Sequence, residues 1–183
     1  MNIGPRANAL SLLLALSTLS MSAGNICGQS VITGAVPATL VLTRDQAAEI
    51  LPQTVFFHGQ SAPVQGRNSA GLRLPDGKLV LVAIVDTSGY SSAVQQTYQA
   101  YLITEVPLTI AGQKLPTGAY GFGFIAGNKM VVMDIGAHEV LNTQTTRDES
   151  LSRPNPLQIL PASSGGFRLY LGRSYVSITP VER

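Results

Sequence analysis

The chain has 183 residues, with 12 Lys and Arg against 10 Asp and Glu; 45% of its residues are hydrophobic and only 12% are charged. That balance excludes a disordered charged tail. A net charge of +2 with scattered basic residues argues against a nucleic-acid binder that works by neutralising phosphates. A single Cys cannot make an internal bridge, so a disulfide scaffold is excluded as well.

Met1 to Arg6 reads as a short positive n-region, and Ala9 to Leu19 as an apolar run of signal-peptide length. The run is too short for a bilayer span, which needs about 20 apolar residues. Small residues follow at Ser20, Ser22, Ala23 and Gly24, so residues 1–28 are expected to form a secretory signal cleaved near residues 22–30. A lipid anchor at Cys27 is disfavoured, because Ile26 stands where a lipoprotein signal wants a small residue. Cleavage leaves residues 29–183 as one β-rich domain, with no further hydrophobic run to span a membrane. The expectation is a bacterial protein exported to the periplasm or the cell exterior.

Along the mature chain, Pro37 to Leu42 is β-like, and Thr43 with Gln46 forms a capping box for one short helix, Arg44 to Leu51, which Pro52 stops. Another helical turn fits Ser92 to Gln96. Strands are expected over Thr54–His58, Ser69–Leu74 and Lys78–Asp86; the last two are joined by Pro75-Asp76-Gly77, where Pro presets φ and Gly accepts a positive one. Thr97–Glu105 follows, with Tyr98, Ala100 and Leu102 on one face and Tyr101 and Ile103 on the other. Val106–Ile110 comes next, then a hairpin of Ala119–Ala126 with Lys129–Ile135, and a last one of Phe167–Leu171 with Ser174–Thr179. Glu139 to Pro156 reads as a long surface loop. About eight or nine short strands with one short helix predict an all-β fold, an antiparallel sandwich, with a closed barrel as the alternative.

Ser61-Ala62-Pro63-Val64-Gln65-Gly66-Arg67 is similar to a Ser-x-Pro-x-x-Gly-Arg segment, and Gly112-Gln113-Lys114-Leu115-Pro116-Thr117-Gly118-Ala119-Tyr120 to a Gly-x-x-Leu-Pro-Ala-Gly-Thr-Tyr turn. In this order, over about residues 61–126, they resemble family 2911 of the bacterial domains of unknown function. The family's Trp-Arg segment has no counterpart, since the chain lacks Trp. The resemblance implies export and a β-fold and does not point to an activity.

Chemistry-bearing residues are few. His58 and His138 are the only histidines, and His138-Glu139 lacks the second His of a zincin helix. Asp86 and Asp134 end apolar strands, so a hydrolytic site from His58, His138 and Glu139, or a metal site from Asp86, Asp134 and His138, would need them to share a sheet end. The solvated alternative is carboxylates that accept turn hydrogen bonds, and no cofactor is expected. In Tyr120-Gly121-Phe122-Gly123-Phe124 the aromatics take one face and the glycines the other, leaving room for a packed neighbour or, alternatively, a ligand. Tyr101, Arg168 and Tyr170 are candidate ligand-binding residues. The leading reading is a non-catalytic binding or structural module of the envelope, with another envelope protein or a small apolar ligand as partner. Its alternatives are a carrier with an apolar barrel cavity and a His/carboxylate hydrolase.

Overall fold

A computed structural model describes residues 38–181, so the expected signal segment and Cys27 lie outside the described residues. Hydrophobic alternation builds two antiparallel sheets. The larger takes β1 (Leu40–Leu42), β3 (Gln60–Arg73), β4 (Leu79–Val85), β5 (Ala100–Thr104), β8 (Gly118–Ile125), β9 (Lys129–Met133) and β10 (Glu139–Gln144) in that order, with β2 (Thr54–Phe57) paired to the start of β3. The smaller runs β12 (Leu157–Pro161), β13 (Phe167–Leu171), β14 (Ser174–Pro180), β6 (Leu108–Ile110) and β7 (Gln113–Leu115), with β11 (Thr146–Arg147) added to β14. The sheets stay separate, so the sandwich holds and the closed barrel does not.

Strand alternation sends one side chain in two into a shared core. Leu72, Val80, Val82, Leu102, Phe122 and Val132 from the larger sheet meet Ile110, Ile159, Leu169, Val176 and Ile178 from the smaller. Burying such side chains stabilises by roughly 1.5–3 kcal/mol each, set against the entropy of ordering the chain.

The larger sheet is also covered on its outer face. There α1 (Arg44–Ile50) packs Ala47 against Leu42 and Leu81. Its Thr43–Gln46 capping box forms as expected. Beside it, the β2–β3 hairpin folds across the sheet as an arm and places Val55, Phe57 and Ala62 on Val85, Tyr101, Val131 and Met133. The second helix, α2 (Ser92–Thr97), lies next to β8 and ends at Tyr98.

Three expectations need correction, and one strand was not foreseen. Fourteen strands replace eight or nine among the described residues, because several are only two to five residues long. The strand expected from Thr97 starts at Ala100, because α2 runs to Thr97 and Tyr98 caps it; Tyr98 therefore packs beside Tyr101 rather than with Leu102. The expected loop from Glu139 begins as β10, paired to β9 through a bulge between Glu139 and Leu141, and continues as β11. Leu157–Pro161 is a strand that the prolines around it conceal.

Gly121 and Gly123 resolve in favour of a packed neighbour. A Cβ on Gly121 would lie 2.5 Å from the Phe57 ring and 2.9 Å from that of Tyr98, and one on Gly123 would run into the Thr97 carbonyl. The glycine strip is the seat of the arm and of α2.

Candidate binding surface

The outer face of the smaller sheet gathers two of the three expected ligand-binding residues. Arg168 and Tyr170 point to the same side of β13, and Tyr170 faces Tyr175 across the ladder. The Arg168 guanidinium lies 4.6 Å from the centroid of the Tyr175 ring, a cation–π contact. Tyr170 and Tyr175 rings sit 5.1 Å apart. The Tyr170 hydroxyl donates to Asp148 Oδ2 at 2.8 Å, and the same oxygen lies 3.8 Å from Arg168.

Asp148 is brought there by β11, which pairs Thr146 with Tyr175 and Arg147 with Ser174. Its backbone N–H then bonds the Arg173 carbonyl at 2.9 Å, and Arg173 reaches forward to the Leu151 carbonyl. Hydrogen bonds from the Ser150 hydroxyl and then the Tyr170 hydroxyl hold the Asp148 carboxyl below its ordinary range. Burial, with the carboxylate adding to it, pushes Tyr170 up. Beside this network a depression of about 260 Å³ is lined by Arg168, Tyr175, Ser177, Thr146, Gln144 and Ser164. Chemically it offers one cation, one aromatic ring and a rim of hydroxyls and amides.

Tyr101 is not part of it. Its ring lies under the arm on the other sheet, and its hydroxyl donates to the Phe56 carbonyl at 3.1 Å. Tyr90 acts likewise, with its hydroxyl 3.0 Å from the Phe57 carbonyl and 3.1 Å from that of Gln60. Tyr98 stacks on Phe57 with centroids 3.9 Å apart, and its buried hydroxyl has no partner among the described residues. Burial, and after it Tyr90 and Tyr101, pushes its pKa up.

Of the His and carboxylate candidates, Asp86 stands apart, while His58 comes to the β9–β10 turn that carries Asp134 and His138 and leads into Glu139. Along β4, β5, β8 and β9 each neighbour reverses direction, so β4 and β9 run oppositely and Asp86 and Asp134 leave opposite ends. Asp86 accepts the Ser88 N–H at 3.0 Å. Asp134 Oδ1 accepts the N–H groups of Gly136 and His138, each at 2.9 Å, and its carboxylate lies 3.2 Å from His138 Nδ1. These bonds, the His138 N–H first, hold Asp134 below the usual carboxylate range. The carboxylate thereby ties the β9–β10 turn, where Ala137 has a φ of +67°. His58 sits at the tip of the arm, and its N–H donates to the Ile135 carbonyl at 2.8 Å. Glu139 is exposed at the start of β10. Among the described residues no three His, Cys, Asp or Glu side chains converge as metal ligands, and no helix is long and apolar enough to cross a membrane.

Sequence reasoning missed Asp148 as a member of the network. Asp148 lies 22 residues from Tyr170, and only the pairing of β11 with β14 closes that distance. No protein-family model, no curated protein and no solved structure matches the chain.

Proposed function

We propose that this chain is an exported bacterial binding module without catalytic chemistry, and that its working face is the outer face of the smaller sheet around Arg168 and Tyr175. The observation that carries the reading is the preorganisation of Arg168. Its guanidinium is laid on the Tyr175 ring and braced through Tyr170 and Asp148, yet a third of its side chain remains exposed beside a polar depression. A charged side chain already held in place loses less rotamer entropy when a partner arrives, and Arg and Tyr are, with Trp, the residues enriched at the energetic centre of protein interfaces.

The competing readings draw less support. An apolar carrier wants an empty interior, whereas the inner faces interlock in one continuous cluster. A hydrolase wants a histidine and a carboxylate free to exchange a proton with substrate, whereas Asp134 is committed to the turn and His138 stands in solvent. The partner that fits is another protein of the cell envelope, presenting an acidic and hydroxyl-rich surface.

The reading is tested by capture from an envelope extract with the wild type and with Arg168→Ala combined with Tyr175→Ala. A partner retained by the wild type and by Tyr101→Phe, and lost with the double variant, is the expected result. An identical captured set for all three proteins overturns it.

A further inference from the structure

A second site lies at an open side of the sandwich, where β12 faces a bulge in β3. β3 pairs Gln65 with Ile84 and then Ser69 with Ala83, so Gly66, Arg67 and Asn68 have no partner on β4. The bulge is locked in place. The Ser69 hydroxyl donates to the Gly66 carbonyl at 2.5 Å, with the Arg44 carbonyl 3.2 Å away. Asn68 Nδ2 donates to Gln65 Oε1 at 2.9 Å. Helix α1 comes so close that a Cβ on Gly66 would lie 3.1 Å from that of Ala48. Bulges of this kind re-aim side chains out of the ladder.

Between the bulge and β12 lies a pocket of about 290 Å³. Its apolar lining comes from Leu42, Ala70, Leu157 and Ile159, all buried. Its polar lining is Arg44, Arg67, Asn68, Asn155 and Gln158, together with Ser69. No carboxylate lines it. Arg67 makes no ion pair among the described residues, and the one contact of Arg44, to Asp45 at 3.8 Å, lies in solvent. The Gln158 amide nitrogen is enclosed and has no acceptor among the described residues, while its oxygen is taken by Asn155 Nδ2 at 3.1 Å. Donors therefore outnumber acceptors, and two positive charges are uncompensated within the lining. An enclosed donor without an acceptor is a cost that a ligand oxygen removes.

We propose that this pocket binds a small organic oxyanion, its charged group held by Arg44 and Arg67 and its body seated on Leu42, Leu157 and Ile159. The volume lies at the small end of ligand sites and suits a body of one ring. Charge-assisted bonds from arginine give such a ligand its specificity over a neutral analogue of the same shape. The site is separate from the Arg168 face and does not depend on its role.

The test titrates the protein with two matched pairs, benzoate against benzamide and glucuronate against glucuronamide, and follows the backbone amide resonances. At least one acid should move the signals of residues 66–70 and 155–159, and its amide should bind about tenfold more weakly or worse. The pair that responds tells an aromatic body from a sugar body. Arg67→Glu should lower the acid's affinity by about tenfold or more with an unchanged melting temperature, since Arg67 is exposed. Added salt should weaken binding in parallel. Amides that bind as well as their acids, or acids that leave both segments unmoved, overturn the proposal.

Discussion

The chain carries two tyrosine clusters on opposite outer faces, and they use the same side chain differently. Under the arm, Tyr90 and Tyr101 donate to backbone carbonyls of the arm itself, and Tyr98 stacks on Phe57 in a dry setting. On the smaller sheet, Tyr170 donates to a carboxylate and Tyr175 lies against a guanidinium. In the first cluster the hydroxyls fasten one part of the chain to another. In the second, the Tyr170 hydroxyl and the Tyr175 ring hold a charge in a fixed position at the surface. A tyrosine's role thus follows from what its hydroxyl and its ring meet.

The contrast can be broken most forcefully at Phe57. Phe57→Ala removes a fully buried ring from the seat of the arm and should cost about 3–5 kcal/mol in urea unfolding. It should leave the resonances of residues 168–177 in place. A loss below about 1 kcal/mol would show that the arm contributes little to the fold.

A smaller effect is expected at Tyr170→Phe, and it should depend on pH. Asp148 titrates lower in the folded chain than in the unfolded one. Its contribution is therefore complete above the unfolded carboxylate pKa of about 4, and is lost as pH falls through the folded value. The stability gap between wild type and Tyr170→Phe should be widest near neutral pH and close in acid. A gap of constant size across that range would mean that the Asp148 charge plays no part.

The smallest effect belongs to His138→Ala. With its side chain 82% exposed and the Asp134 turn held by backbone N–H groups, unfolding should shift by no more than about 0.5 kcal/mol. Asp134→Ala should exceed it, with Asn restoring most of the difference through its side-chain oxygen. Equal losses at the two positions would give His138 a structural role that the geometry does not assign to it.

Local signals carried much of this fold. The turn Pro75-Asp76-Gly77 forms with the Leu74 N–H bonded to the Lys78 carbonyl, and the last hairpin pairs Phe167 with Ile178 as the alternation requires. The aromatic and glycine alternation in β8 gave the inner and outer faces correctly. What stayed hidden was set by pairing at a distance. Nothing local in Glu139–Gln144 announces an edge strand, because its exposed positions carry Glu139, Val140, Asn142 and Gln144 without a clean alternation. The site was legible as far as Arg168, Tyr170 and Tyr175, which the last hairpin brings together. Asp148 depends on the pairing of β11 with β14, segments far apart in sequence.

The strand order also dictates when this molecule can be completed. From β3 to β5 and again from β8 to β10, the larger sheet joins neighbours in sequence, so much of it can assemble while later residues are still being made. The smaller sheet has two such local parts, β6–β7 and β12–β14, but they are joined only across a long stretch of chain. Leu108–Ile110 waits for Ile178–Pro180 before it is paired on that side. Closure of so long a loop is slow relative to local hairpins, and until it happens the apolar face of the larger sheet stands open. Synthesis must therefore pass Pro180 before the core is sealed, and loss of β14 alone would leave a half-built sandwich exposed to aggregation.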